Sequence, residues 1–380
     1  MQASTLDIAF YAPLKSPLHP IPSGDRKIAR LFMAALQDAG FKVKLASQLR
    51  SFDKHGNSHR QQRMVTLAKH EAQRIMRRWR KQNFQPKAWF SYHLYYKAPD
   101  LIGPIICLAL NIPYLVAEAS WAAKRAQGPW SLYHQHIDSA LGQAAKIICI
   151  NPVDKIALTA YYANETINRI ESLAAFIDDR PQSNPNITRQ QLADAFVLDI
   201  EKPWLISIAM MRSGDKFASY QLLSKVIHKL QLPFQLLIVG DGEMRPQVNA
   251  LFSTQSQVKF ANALPNDHIL ELLTHFEILV WPAINEALGM IFLEAQQAGV
   301  AIVAGNQGGV SSIVKDQFSG LLFDALDVVA MTSAITTLLS NPQQLQRLQQ
   351  QAQIYIAQQH SIGASALQLH RIIHSVCEQP

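Results

Sequence analysis

Residues 278–314 read ILVWPAINEALGMIFLEAQQAGVAIVAGNQGGVSSIV and contain two short apolar runs separated by a helical pattern. The first run ends at Trp281, and the second occupies residues 300–304. Between them, Gly289 precedes the helical stretch and Gly299 follows it, as a glycine commonly does at a helix carboxyl end. A strand, a loop, a helix and a second strand in this order predict a parallel β-α-β unit.

The same alternation continues on both sides of this segment and forms two series. Predicted strands lie near residues 6–11, 42–46, 88–92, 114–117 and 146–150, and then near 204–209, 234–239, 258–260, 278–281 and 300–304. Strands that alternate with helices indicate parallel sheets covered by helices. We therefore expect an α/β fold with two doubly wound, Rossmann-like domains.

A loop-rich segment separates the two series. Residues 178–186 read DDRPQSNPN, a composition typical of a linker or hinge. We expect an N-terminal domain over residues 1–180, a linker over 181–203 and a C-terminal domain over 204–361.

The composition is that of a soluble enzyme. The chain has 380 residues and 48% hydrophobic content, enough for two or three cores. Its longest apolar run, residues 101–116, is broken by two prolines, so no membrane-spanning helix is predicted. The first fifteen residues lack the pattern of a signal peptide, and the three cysteines show no close pair that indicates a disulfide framework or a thiolate metal site. We expect an intracellular, cytoplasmic protein.

Basic residues are concentrated in the first part of the chain. Residues 1–100 hold 18 Lys and Arg against 6 Asp and Glu, a net charge of 18 − 6 = +12, whereas the whole chain carries +7. This asymmetry suggests an anionic partner for the N-terminal domain: phosphate, acidic lipid, nucleic acid or an acidic glycan.

Residues 59–82 predict one amphipathic helix with eight Lys and Arg and one Glu. Its apolar face is formed by Met64, Ala68, Ala72, Ile75, Met76 and Trp79. One interpretation is a helix that lies in the interface of an anionic membrane. The other is a helix packed on the core with a solvated basic face, which the small alanines favour.

Two loops combine a small-residue turn, cations and the expected start of a helix. They are residues 23–27 (SGDRK) and 212–216 (RSGDK). Free backbone N–H groups at a helix N-terminus, together with Arg and Lys, suit a phosphate group. The alternative is that Ser23 and Ser213 only cap helices. Neither domain shows the GxGxxG pattern of a dinucleotide enzyme after its first strand, and Gly240 in VGDGE is a weak candidate for donor binding.

Two carboxylates are spaced across the predicted loop and helix after Trp281. Glu286 lies in the loop, and Glu294 follows eight positions later inside the helix. Carboxylate oxygens are strong acceptors for sugar and ribose hydroxyls. Backbone N–H donors in the same loop are expected from Ala287, Leu288, Gly289 and Met290.

These features resemble the family-4 retaining glycosyltransferases of the GT-B fold. The resemblance rests on the E-x7-E pattern of Glu286 and Glu294, the Trp-Pro after the preceding strand, the Gly308-Gly309-Val310 turn and the Arg212 and Lys216 pair. It is strongest over residues 205–325. It implies two Rossmann-like domains that face a cleft, with the last helix, about 362–380, packing back on the first domain.

The resemblance also implies the reaction. A sugar would move with retention from a nucleotide-diphosphate sugar, a co-substrate, to a glycan or lipid-linked acceptor, as in polysaccharide biosynthesis, with neither a catalytic metal nor a cofactor. Arg212 and Lys216 would bind the diphosphate, Glu286 would contact the transferred sugar with the backbone of residues 287–290, and Glu294 would bind the ribose.

The resemblance gives roles to two residues of the first domain. His93, at the end of a predicted strand, would lie beside the sugar, and Gly24 would belong to the loop that approaches the phosphates. The sequence departs from the family where Arg212 and Lys216 are four positions apart rather than five, and where Ser23 replaces a glycine.

Three other functions are weighed against the transferase. A bilobal solute-binding or sensor protein has the same fold class, and a GT-B epimerase or phosphorylase shares the whole fold. Nucleic-acid binding is prompted by the basic N-terminal region, but the sequence lacks a recognisable motif for it, so no nucleic-acid partner is expected. The basic charge is instead assigned to an anionic membrane surface, where the protein would be peripheral, or to the acceptor.

Overall fold

The computed structural model describes residues 6–21, 23–162, 169–180 and 187–377. The chain divides into two compact units, one formed by Met1–Ala174 with Ile362–Pro380 and the other by Ala175–Ser361. Each unit contains a six-stranded sheet whose paired strands are parallel, with helices between successive strands. The expected α/β fold class with two doubly wound, Rossmann-like domains is confirmed.

The elements of the first unit follow the predicted alternation. In chain order they are β1 (Asp7–Tyr11), α1 (Gly24–Asp38), β2 (Lys42–Leu45), α2 (Ser58–Lys81), β3 (Ala88–Leu94), α3 (Gly103–Leu110), β4 (Tyr114–Ala119), α4 (Ser131–Gln143), β5 (Lys146–Cys149), α5 (Pro152–Tyr161) and β6 (Ile170–Ser172).

The second unit repeats this plan. Its elements are α6 (Arg189–Phe196), β7 (Trp204–Ile208), α7 (Asp215–Lys229), β8 (Gln235–Val239), α8 (Arg245–Leu251), β9 (Val258–Ala261), α9 (Asn266–Leu273), β10 (Ile278–Trp281), α10 (Met290–Gln297), β11 (Ala301–Gly305), β12 (Leu321–Phe323), α11 (Val328–Ser340) and α12 (Pro342–Tyr355). The last helix, α13 (Ile362–Cys377), returns to the first unit.

The strand order locates the crevice of each sheet. The orders are β2-β1-β3-β4-β5-β6 and β12-β11-β10-β7-β8-β9. In each sheet the order reverses beside the first strand, between β1 and β3 and between β7 and β10. Ligands of open parallel sheets bind outside the carboxyl ends of the strands at such a reversal. A ligand site is therefore expected at the loops that follow these four strands.

Two edge strands were not predicted from the sequence. β6 and β12 have three residues each, and both lie at the end of a sheet. Such short runs carry no clear alternation of apolar and polar residues, so they resemble loops in the sequence. The ten predicted strands are present, with ends that differ by one or two residues.

Helix α2 is packed on the core of the first unit. Ala68, Ala72, Ile75 and Trp79 are buried, and the helix contacts α3 and α4. This packing agrees with the second interpretation of the apolar face and leaves most of the basic residues exposed, whereas Arg78 is half-buried and donates to the carbonyl of Ala46. No helix in the described part of the chain has the length and the apolar character needed to cross a bilayer.

The boundary between the units lies earlier than the linker predicted at 181–203. His360 Nδ1 is 2.6 Å from the carbonyl oxygen of Ala175, and the N–H of Ile177 donates to the carbonyl of His360 at 3.0 Å. These bonds attach residues 175–177 to the end of the second unit. Residues 187–203 also belong to that unit, while residues 181–186 lie outside the described residues.

Helix α13 packs against α1 in the first unit. His370 Nδ1 is 2.9 Å from the carbonyl oxygen of Ala39, and the ring of Phe41 lies 5.8 Å from that of His370. The last three residues of the helix predicted at 362–380 lie outside the described part of the chain.

Candidate functional site

The loops after β7 and β10 are joined at the reversal of the second sheet. Lys216, in the first turn of α7, forms an ion pair with Glu286 in the loop between β10 and α10. The N–H of Ile284 donates to Ser219 Oγ at 3.0 Å, which fixes the same loop to α7. The predicted phosphate-binding lysine and the predicted sugar-binding carboxylate are therefore brought into direct contact.

Glu286 lies in a mostly enclosed environment. Its side chain is 14% exposed and that of Lys216 is 26% exposed. The indole N–H of Trp281 donates to Glu286 Oε2 at 3.3 Å, and the ammonium of Lys216 lies 5.6 Å from the centroid of the Trp281 ring. A cation and an indole donor thus fix the position of the carboxylate while part of it stays accessible.

The double glycine at 308–309 supports the backbone of Glu286. The N–H of Gly309 donates to the carbonyl of Glu286 at 2.9 Å. A Cβ on Gly308 would lie 2.0 Å from that carbonyl oxygen, and a Cβ on Gly309 would lie 2.2 Å from the carbonyl oxygen of Ala287. Gly308 also has φ +62°, which favours glycine. Only glycine allows this approach of the two loops.

Free backbone donors lie in the two segments that the ion pair joins. None of the N–H groups of Ala287, Leu288, Gly289 and Met290 donates to an acceptor among the described residues. The same holds at the start of α7 for the N–H groups of residues 214–217. Two helix N-termini therefore present unsatisfied N–H groups beside Lys216, an arrangement that suits an anion.

Arg212 and Ser213 form the outer part of this site. Arg212 is exposed. The backbone N–H and the hydroxyl of Ser213 both donate to Glu243 Oε1, at 3.2 and 2.8 Å, and these bonds keep the pKa of Glu243 below its usual range. Ser213 therefore does not cap α7, whose N-cap is Gly214. Glu243 was missed by the sequence analysis, although it closes the VGDGE segment.

Gly240 lies in the loop after β8, whereas Glu294 lies inside α10. A Cβ on Gly240 would lie 2.0 Å from the carbonyl oxygen of Ala209, so this glycine allows the loops after β7 and β8 to pack closely. Glu294 lies on α10, one turn beyond Met290, and is half-buried. The structure gives Gly240 a packing role, and its part in donor binding stays a prediction.

The reversal of the first sheet joins His93 and Asp25. His93 is in β3 and Asp25 is in the first turn of α1, and the imidazole Nδ1 lies 2.9 Å from Asp25 Oδ1. This hydrogen bond lowers the pKa of Asp25. Ser23 caps α1 by accepting from the N–H of Arg26 at 3.3 Å, as the alternative interpretation expected. Gly24 begins the helix, and a Cβ there would meet open space.

Two more carboxyl groups lie near His93. Burial raises the pKa of Glu118, at the end of β4, and that of Asp154, in the first turn of α5, while the charge of His93 acts on both in the opposite direction. His93 and Glu118 have φ of +63° and +57°, which non-glycine residues rarely adopt. Strained residues at neighbouring strand ends are typical of functional sites. Their position at strand ends was the signal available in the sequence.

Comparison with known proteins finds a family that part of the chain resembles. Residues 206–355, from within β7 to the end of α12, match a family model described as "Glycosyl transferases group 1". Within this segment the chain is similar to the group 1 glycosyl transferases. The match covers the Lys216 and Glu286 pair, both free helix N-termini and the glycine turn at 308–309.

One relative extends the similarity beyond the segment that matches the family model. The Streptomyces kanamyceticus alpha-D-kanosaminyltransferase is 22% identical over 280 residues, which cover 70% of this chain and 72% of that protein. The Arabidopsis thaliana sulfoquinovosyl transferase SQD2 is 32% identical over 142 residues, 37% of this chain and 27% of that protein. Because these relatives are named transferases, the chain is assigned as a glycosyltransferase rather than as a solute-binding protein.

Solved structures support the two-domain GT-B type fold of the transferase. A Rickettsia africae glycosyltransferase superposes with a TM-score of 0.71 at 14% identity and covers 100% of both chains. The Anabaena protein Alr3699/HepE, crystallised with UDP and glucose, superposes with a TM-score of 0.69 at 13% identity and covers 97% of this chain and 100% of that one.

Replacing Gly308 by alanine is expected to destabilise the transferase. The new methyl group would clash with the carbonyl of Glu286, and the positive φ adds strain, so the free energy of unfolding should fall by at least about 1 kcal/mol. Urea unfolding followed by circular dichroism measures the change. Gly363→Ala in α13 is the control, because it meets open space in a helix and should be neutral or stabilising. Equal losses in both variants would contradict the steric argument.

Proposed function

We propose that this enzyme is a retaining, family-4 glycosyltransferase that moves a sugar from a nucleotide-diphosphate sugar to a glycan or lipid-linked acceptor without a catalytic metal. The observation that carries the proposal is the ion pair of Lys216 and Glu286 at the reversal of the second sheet. One partner suits a phosphate and the other suits a sugar hydroxyl, so the pair marks the position where a sugar is joined to a diphosphate.

The diphosphate is assigned to the start of α7. Lys216 offers a movable ammonium group, and the exposed Arg212 offers a planar guanidinium that can bind two phosphate oxygens. The free N–H groups of residues 214–217 add donors and the partial positive charge of the helix N-terminus. Negative charge grows on the leaving phosphate during transfer, so these groups would stabilise the transition state more than the bound donor.

The sugar and the ribose are assigned to the two carboxylates. Glu286 would accept from hydroxyls of the transferred sugar, with backbone donors from residues 287–290. Glu294 would accept from the ribose hydroxyls. In the first unit, His93 would act on the transferred sugar and Gly24 would leave room for phosphate. These roles follow from the family resemblance, and the accessible position of each residue supports them.

Retention is proposed to occur by attack on the face from which the diphosphate leaves. Glu286 is paired with Lys216 and bonded to Trp281, which makes it a weak nucleophile and supports a role in binding. We assign the acceptor proton to the leaving phosphate oxygen. In this mechanism the bond from acceptor oxygen to anomeric carbon forms as the bond from anomeric carbon to phosphate oxygen breaks.

An anionic membrane surface is the proposed location of a lipid-linked acceptor. The outer face of α2 exposes Arg63, Arg77 and Lys81 among other cations, whereas its single carboxylate, Glu71, is bound by Arg74 and Ser47. Each basic residue near an anionic surface adds about 1 kcal/mol of attraction. Because the apolar side of α2 is used in the core, binding would be electrostatic and sensitive to salt.

Loss of the phosphate clamp is expected to slow turnover. Lys216→Ala and Arg212→Ala should each lower kcat by ~100-fold or more, with a donor selected from a panel of nucleotide sugars by thermal shift. Since Lys216 and Glu286 touch, the double variant Lys216→Ala with Glu286→Gln should lose less activity than the product of the two single losses. The control is Lys229→Ala at the end of α7, and unchanged rates in the clamp variants would refute the clamp.

The anomeric configuration of the product tests retention. NMR of the glycosylated product should show the same anomeric configuration at the transferred sugar as in the donor sugar. Product with the opposite configuration would refute retention and would instead require a carboxylate that acts as a general base.

Vesicle flotation tests the membrane surface. The protein should float with vesicles that contain acidic phospholipid at low salt and should be released at high salt. Changing Arg63, Arg77 and Lys81 to Gln should reduce flotation, whereas the control changes Lys225→Gln and Lys229→Gln in the second unit should not. Equal flotation with zwitterionic vesicles would contradict the proposal.

A further inference from the structure

Aromatic rings follow one another from His93 through Tyr95 and Tyr96, which come just after β3, to Trp130, which precedes α4. The ring centroids of His93 and Tyr95 are 5.1 Å apart, those of Tyr95 and Tyr96 are 5.5 Å apart, and those of Tyr96 and Trp130 are 5.3 Å apart. All four side chains belong to half-buried residues of the first unit. We call these four residues the aromatic row, and it begins at the imidazole that is assigned to the transferred sugar.

Two cations lie over the far end of the aromatic row. The guanidinium carbon of Arg125 is 4.3 Å from the centroid of Tyr96 and 5.3 Å from that of Trp130. The ammonium of Lys97 is 5.5 and 5.4 Å from the same two centroids. Neither cation has a carboxylate partner or a side-chain hydrogen bond within the described residues, and the Nε of Arg125 is buried without an acceptor.

Asp53 is attached to Trp130, but its carboxylate does not pair with Lys97 or Arg125. Trp130 Nε1 donates to the backbone carbonyl of Asp53 at 3.3 Å. The Asp53 carboxylate is itself buried and accepts from the N–H groups of His55 and Asn57 and from Gln61 Nε2. These donors lie in its own loop and in α2, and no carboxylate of the described residues forms an ion pair with Lys97 or Arg125.

The energetics favour an incoming anion. A cation over an aromatic face gains a modest attraction, whereas a charge-assisted hydrogen bond between a guanidinium and a carboxylate or phosphate is shorter and stronger. An oxygen that reached Arg125 would also satisfy a buried donor that has no acceptor. The ring faces that the cations uncover would then be available for the apolar face of a sugar ring.

We propose that the aromatic row with Lys97 and Arg125 is an acceptor subsite for a saccharide that carries an anionic group, either a phosphate or a carboxylate. This inference rests on the proposed transfer to a glycan or lipid-linked acceptor and names the chemistry of that acceptor. The reacting hydroxyl lies toward His93, and the anionic group lies toward Arg125. A single-stranded nucleic acid also uses stacking and cations, but the rings of this row meet edge to face or tilted, and none is paired face to face as a base platform would be.

The test is a titration of the full chain followed by NMR of the tryptophan indole N–H groups. The sequence has six tryptophans, and Trp130→Phe identifies the signal of Trp130. Glucose 1-phosphate and glucuronic acid should shift this signal at concentrations about tenfold lower than glucose requires, because the added ionic bond is worth about a tenfold change. Tighter binding of glucose 1-phosphate would identify the anionic group as a phosphate, and tighter binding of glucuronic acid would identify it as a carboxylate.

Matched variants distinguish binding at the subsite from non-specific attraction of anions by other basic residues. Lys97→Gln and Arg125→Gln should each abolish the preference for the anionic sugars and leave the response to glucose unchanged, whereas Arg347→Gln on α12 should have no effect. The inference is overturned if these variants bind as the unchanged protein does. It is also overturned if inorganic phosphate alone shifts the Trp130 signal as strongly as glucose 1-phosphate, or if a thymidine oligonucleotide binds more tightly than the sugars.

Donor binding gives an independent readout. Nucleotide sugars should raise the melting temperature of the same protein through the second unit, and Lys216→Ala should reduce that effect. If the donor stabilises the protein but the anionic sugars do not move the Trp130 signal, only the subsite fails. If no donor binds while the sugars do, the transferase mechanism fails and the saccharide site stands.

Discussion

The reversal of strand order beside the first strand of each sheet is the constraint on which both sites depend. It places the helix that follows the first strand next to a strand that comes much later in the chain. In the second unit this brings Lys216 to Glu286, 70 residues away, and in the first unit it brings Asp25 to His93, 68 residues away. Each unit thus has a polar contact at the same topological position, between the first turn of a helix and a residue across the reversal.

The two contacts create different chemical environments from the same plan. In the second unit, a lysine, free helix N-termini and a single enclosed carboxylate form a site where negative charge is favoured. In the first unit, the imidazole of His93 lies among Asp25, Glu118 and Asp154, and burial raises the pKa of the last two. The first environment suits a diphosphate, and the second suits hydroxyl groups that exchange hydrogen bonds with carboxyl groups.

The sequence predicted those features that depend on neighbouring residues. The apolar runs located ten strands, and Gly289 and Gly299 located the ends of α10. The residues of the loop that contains Glu286 were themselves enough to predict that this loop belongs to a site. By contrast, the Asp25 partner of His93 and the Trp281 donor to Glu286 depend on strand order or on loop conformation, which no local pattern encodes. Ser213 was considered as a helix cap because its spacing allows one, but Glu243, 30 residues later, takes its hydroxyl.

The path of the backbone between the two units carries a consequence for how such a protein can be assembled. The second unit is one continuous segment placed between β6 and α13, and its two ends are joined where Ile177 pairs with Ser361. Because its two ends lie next to each other, the whole segment can be replaced as one piece. Recombination between related genes can exchange it at a single point in space without rebuilding the sheet of the first unit.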